Sequence, residues 1–139
     1  MFINKKKFKE IGGFDNNFFL YFEETDYCKR ASNGGLKAYQ INEIKVKTEG
    51  RSVLIKNKKE KKELNNILIW HFIWSKYYFT KKNHGLMLSL LIFLPIIIRI
   101  ILRIVFYQII NKKESIERYK YRLSGLSNSI MGKNSSLRP

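Results

Sequence analysis

The chain has 139 residues, which is room for one compact unit and an appendage. A hydrophobic content of 45% excludes global disorder. Its 27 Lys and Arg against 11 acids give a net charge of +16, which points to a polyanionic partner, either nucleic acid or an anionic membrane face. The lone cysteine, Cys28, excludes a disulfide framework and an internal metal-thiolate cluster and fits a reducing, cytosolic setting.

The N-terminus runs from apolar (Phe2, Ile3) to basic (Lys5, Lys6, Lys7), the reverse of a secretion signal. Residues 1–55 form the first predicted unit, a small α/β segment. Lys5 to Ile11 is a short predicted helix stopped by Gly12-Gly13, because glycine takes the left-handed geometry of a helix C-terminus without penalty. Gly13 to Asn17 has the turn chemistry of a loop. A second helix is predicted from Phe22 to Asn33, with Glu23, Glu24 and Asp26 at its positive end, Lys29 and Arg30 further along and Gly34-Gly35 as its stop. Short alternations at Leu36 to Ile41 and Ile44 to Lys47 predict two strands.

Residues 56–85 form the second unit. The charge run Lys56 to Glu63 is a solvated linker, a helix start or a lipid-headgroup contact. Leu64 to Phe79 mixes aliphatics with Trp70, Trp74, Tyr77 and Tyr78, a composition that suits a membrane interface and equally a packed amphipathic helix. His71 is expected to serve packing, and His84 a helix end or the surface; neither has metal-site spacing.

Residues 86–110, from Leu86 to Ile110, are long and apolar enough for a membrane helix. Arg99 and Arg103 share one face of it, and Pro95 is expected to kink or break it one turn earlier. An arginine at the bilayer centre costs at least ~2.5 kcal/mol. Lysines flank both ends (Lys81 and Lys82, Lys112 and Lys113), so an in-plane or re-entrant helix is favoured over a crossing. This run decides between the two polyanions: an anionic membrane surface is the expected partner, nucleic acid is not, and the expected location is the cytoplasmic face of the membrane. Residues 111–139 are the polar C-terminal unit, helical from Glu114 to Leu126 and frayed from Ser127 to Pro139.

The stretch that carries chemistry is Gly12-Gly-Phe-Asp-Asn-Asn-Phe-Phe-Leu-Tyr-Phe-Glu-Glu-Thr-Asp-Tyr-Cys-Lys-Arg30. From its residues alone, a glycine turn and Asp15 precede an aromatic patch, and three carboxylates then open a helix. Such a cluster is either a helix N-terminus dressed with acids or a set in which one acid is tuned toward general-base work. The run resembles the acceptor-side signature of bacterial family 2 glycosyltransferases of the GT-A fold, rhamnosyltransferase-like group: Gly-Gly-Phe-Asp-Glu, then Phe-Phe-x-Tyr-x-Glu-Asp-x-Asp-Leu-x-x-Arg. Gly12, Gly13, Phe14, Asp15, Phe18, Phe19, Tyr21, Glu23, Asp26 and Arg30 match it place for place.

The resemblance implies a partial GT-A domain, the acceptor-side half, followed by interfacial helices. It implies Glu24 as the base that deprotonates an acceptor hydroxyl, Glu23 and Asp26 as its support, Asp15, Phe14 and Tyr21 as the acceptor site, and Gly12, Gly13 and Arg30 as structural support. The implied acceptor is a cell-surface glycan or a lipid-linked molecule. Glu24 stands where the pattern has Asp, a mild departure that keeps the carboxylate and adds a methylene, and two further departures are serious. Thr48 stands where the family often has a histidine, in Val46-Lys-Thr-Glu-Gly50, and no Asp-x-Asp occurs in the sequence. A nucleotide-sugar donor and its Mg²⁺ or Mn²⁺ are therefore expected only with an N-terminal nucleotide-binding half, and this chain alone is expected to be inactive. Two other functions fit the composition: a non-catalytic membrane-surface docking module and a basic nucleic-acid binder.

Overall fold

A computed structural model describes residues 2–39, 41–43, 45, 47 and 57–137. These residues form five helices: α1 (Lys5–Glu10), α2 (Glu23–Asn33), α3 (Lys58–His84), α4 (Leu86–Ile109) and α5 (Lys113–Ile130). Among the described residues there is no strand and no sheet, which overturns the expected α/β, GT-A-type domain. Leu36 to Tyr39 and Ile41, predicted as a strand, are in none, and neither are Lys45 and Lys47 of the second predicted strand. Four to six alternating residues form a strand only with a neighbour to satisfy their ladder, and these have no partner strand among the described residues. Thr48 lies outside the described residues.

Local chemistry sets the helix ends. The side chain of Asn4 accepts from the N–H groups of Lys6 and Lys7 and starts α1. Asn57 does the same for α3 through Lys59, so the lysine run enters a helix rather than a linker. Gly85, with φ +81, alone separates α3 from α4. Pro95 lies inside α4, which runs on to Ile109, so of the kink or break expected there the break does not occur.

Helices α3, α4 and α5 run up, down and up. Tyr77 and Phe93, each eight residues from Gly85, meet edge to face at 5.1 Å, as two antiparallel helices require. Asn66, Trp70 and Trp74 meet Glu117, Ser124 and Lys133 in increasing order, so α3 and α5 are parallel. The core between them is Ile73, Tyr77, Phe93, Ile100 and Leu126. Gly125 sits where α5 crosses α3: an added Cβ would lie 2.6 Å from the Trp70 carbonyl oxygen. One turn on, the Ser129 hydroxyl donates to the Trp74 carbonyl at 3.0 Å.

The expected frayed tail from Ser127 is also corrected. Helix α5 continues to Ile130, and Ser135 is buried against α3. Fully buried His71 holds two of the tail residues, with Nδ1 2.9 Å from the Ser135 hydroxyl and Nε2 2.7 Å from the Leu137 carbonyl. A carbonyl only accepts, so Nε2 carries the proton and, in the neutral ring, Nδ1 accepts from Ser135.

Packing leaves most of α4 uncovered. Its most apolar stretch is only 17% buried. Leu91, Ile98, Leu102, Phe106 and Ile109 are exposed along a helix of 24 residues, about 36 Å long. Together they make an exposed apolar face along most of the helix.

Candidate functional site

The Gly12 to Arg30 run folds as a loop and helix clipped onto α3. Gly12 and Gly13 both take left-handed φ, which turns the chain back so that the rings of Phe8, Phe14 and Tyr27 meet within 5.2–5.6 Å. Arg30 then fastens the loop to α2. Its Nε donates to Asp26 at 2.8 Å, Nη1 to the Ile11 carbonyl at 2.7 Å and Nη2 to the Gly13 carbonyl. A planar guanidinium can serve three acceptors in fixed directions, which an ammonium cannot.

Helix α3 meets this clip along one stripe. The Ser75 hydroxyl donates to the Leu20 carbonyl at 2.7 Å. Phe18 packs on Tyr78, Phe19 on His71, Tyr21 on Phe72, and Phe22 on Phe72 and Phe79. At the end of the stripe stands Lys82. Its ammonium lies 2.7 Å from Asp15 Oδ2 and straddles Asp26, at 2.9 Å from Oδ2 in hydrogen-bond alignment and 2.8 Å from Oδ1 by charge alone. Asp26 is only 1% exposed, so its two cations offset a desolvation that an unpaired carboxylate would not survive.

Asp15 is equally engaged. Its Oδ1 accepts from the Asn17 N–H and side-chain amide, and its Oδ2 from Tyr78 and Lys82. Burial works against its charged form, but the Lys82 ammonium and the Asn17 donors outweigh it and hold the carboxyl at about 2 instead of 3.8. Burial works against the Lys82 ammonium too, but its hydrogen bonds and charge interactions with Asp15 and Asp26 outweigh it and raise it. A folded-state value below the unfolded one means stability that is complete above about pH 4 and lost as pH falls toward 2. We expect Asp15→Asn to remove roughly 2 kcal/mol of stability at neutral pH, with the gap to the unmodified chain closing in urea titrations between about pH 4 and pH 2.

The acids of the matched run are thus divided. Asp15 and Asp26 share Lys82 and hold the fold together. Their negative charge is already neutralised, so the pair does not fit a divalent cation, and no group of three or more potential metal-ligating side chains occurs among the described residues. Glu24 stands exposed in the first turn of α2. Beside it, Glu23 buries one carboxylate oxygen, Oε2, without a hydrogen-bond partner.

Helix α2 has no side-chain N-cap. Tyr21 and Phe22 precede it at φ +68 and +70, two consecutive left-handed conformations in residues with large side chains. Such backbone costs of order 1–3 kcal/mol per residue and is held here by the packing of both rings on α3. The turn brings Tyr21 to the edge of a cleft of about 1630 Å³ between α3, α4 and α5. Of the residues the resemblance assigns to the acceptor site, Tyr21 alone lines that cleft; Phe14 belongs to the Phe8–Tyr27 cluster.

Lys82 and Tyr78 are the site residues the sequence does not announce. Their spacing of four on a helix is visible, but nothing local ties them to an aspartate more than 60 positions away. Compared with known proteins, the chain matches no family model, no curated protein and no solved structure.

Proposed function

We propose that this chain is the acceptor-side, membrane-resting part of a glycosyltransferase, with donor binding supplied by residues outside it. The observation that carries the reading is the ordered match from Gly12 to Arg30, ten positions in one run. Support comes from the arrangement around it. The strained turn at Tyr21 and Phe22 delivers an aromatic ring to the rim of a large cleft, and Glu23 and Glu24 follow at the positive end of α2. Asp15 and Asp26 are held by cations, which leaves Glu23 and Glu24 outside any ion pair among the described residues, and Glu24 is the exposed one of the two.

The uncovered face of α4 supplies the membrane contact, at the cytoplasmic surface that a chain of this charge favours. The helix lies in the plane of that surface. Helix α5 packs along α4 and carries Lys113, Glu114, Glu117, Arg118, Lys120 and Arg122. A crossing α4 would take these into hydrocarbon at roughly 2.5 kcal/mol or more each. Lying flat, α4 buries its apolar face in lipid and leaves α3 and α5 on the aqueous side.

The engagement of Asp15 and Asp26 in ion pairs favours a second reading, in which the same scaffold docks a partner enzyme and does no chemistry. Sugar transfer in the presence of a nucleotide-binding half separates the two: Glu24→Gln abolishes transfer in the first and leaves the partner's activity untouched in the second.

A further inference from the structure

The cleft between α3, α4 and α5 has a chemistry of its own. Nine of the side chains lining it are Lys or Arg, and one, Glu114, is acidic. All three helices supply them: five lysines from α3, Arg99 and Arg103 from α4, and Arg118 and Arg122 from α5. Lys62 is bridged to Glu117 at 2.6 Å. The four arginines have no carboxylate within ion-pair distance among the described residues. Two of them, Arg103 from α4 and Arg122 from α5, lie over the same ring, Tyr119, at 5.8 and 5.3 Å from its centre. The clamp holds two like charges together; Arg103 also meets the Tyr119 and Tyr107 hydroxyls, so the N–H groups open to a third partner are chiefly those of Arg99, Arg118 and Arg122.

We infer that this cleft binds the phosphate head of an anionic membrane lipid. Phosphate suits the guanidinium fork, which donates two parallel hydrogen bonds to it. The lipid source follows from where the arginines stand. Arg99 and Arg103 alternate along α4 with the exposed Ile98 and Leu102, so a molecule with its phosphate on the arginines has its acyl chains beside the apolar face. The cleft also gives Arg99 and Arg103 a function within an otherwise apolar helix, as a boundary between lipid and headgroup. The inference rests on the membrane-facing α4 proposed above but not on Glu24 or the Gly12–Arg30 match, so vesicle binding and sugar transfer test the two readings separately.

The test is flotation of the full chain with phosphatidylcholine vesicles containing phosphatidic acid, or, at matched surface charge, cholesteryl hemisuccinate. Binding is expected to be tighter to the phosphatidic acid vesicles and to fall about tenfold or more in the Arg99→Gln/Arg103→Gln double variant. The Lys5→Gln/Lys9→Gln double variant removes the same charge from exposed positions on α1, outside the cleft, and is expected to lose about twofold or less. Arg99→Lys/Arg103→Lys restores part of the loss. All four arginine and lysine positions substituted are exposed, and an unchanged helical circular dichroism signal confirms the fold of each variant. Equal losses from the two charge-matched variants, or equal binding to the carboxylate vesicles, overturns the inference in favour of general charge attraction. Release from vesicles by inorganic phosphate at the lipid's concentration overturns the lipid source in favour of a free anion. Arginine-dependent binding of a single-stranded oligonucleotide without vesicle binding overturns it in favour of nucleic acid.

Discussion

Arg30→Ala is expected to destabilise the chain by about 3 kcal/mol. The side chain donates to three acceptors on two elements, the Asp26 carboxylate and the carbonyls of Ile11 and Gly13. Its loss leaves Asp26, almost wholly buried, with Lys82 alone, and leaves two turn carbonyls seeking water in a partly closed site. Arg30→Lys keeps the charge but not the fork and is expected to recover less than half of the loss. Because Arg30 is 27% exposed, water reaches part of the gap, which places the value at the low end of the range for a broken buried pair. Urea unfolding followed by circular dichroism reads both values. A change below about 1 kcal/mol in Arg30→Ala would show that the loop holds without its clamp.

Gly125→Val is expected to cost more than Gly125→Ala, and Ala itself about 1–3 kcal/mol. The position is inside α5, where alanine ordinarily improves a helix by nearly 1 kcal/mol over glycine, so the sign of the effect is diagnostic. Here the obstacle is the Trp70 carbonyl oxygen at 2.6 Å, with Ile73 Cγ2 at 2.9 Å, and a backbone atom cannot step aside as a side chain does. The helices must separate, which loosens Leu126 in the core and stretches the Trp70–Ser124 and Ser129–Trp74 hydrogen bonds. A thermal midpoint that rises in Gly125→Ala would mean that α3 and α5 do not cross at this glycine.

Some of this architecture is written in short-range chemistry. Asn4 and the Gly12-Gly13 stop bound α1, and the acids at 23, 24 and 26 with Gly34-Gly35 bound α2. The apolar run that becomes α4 is visible from composition alone. Other parts depend on partners far along the chain. The alternation from Leu36 to Ile41 has the period of a strand, but a period of two without a neighbouring strand specifies nothing. The tail looks too polar to fold until His71 is seen to hold Ser135 and Leu137, 64 and 66 positions away. The site divides in the same way. Arg30 as an anchor follows from the resemblance, whereas the sharing of Asp15 and Asp26 by Lys82 depends on contacts 67 and 56 positions apart. The cleft is less legible still, since Lys62, Arg99 and Arg122 converge only after three helices have packed.

The proposed role of Glu24, as a base toward an acceptor at the membrane surface, is read by sugar transfer. Membranes carrying this chain, supplied with a family 2 nucleotide-binding half and a radiolabelled nucleotide sugar, are predicted to transfer label to a lipid-extractable or glycan acceptor, with neither half active alone. Glu24→Gln keeps the size of the side chain and removes its basicity, so transfer is predicted to fall about 100-fold or more while donor binding persists. Undiminished transfer by Glu24→Gln would contradict the account.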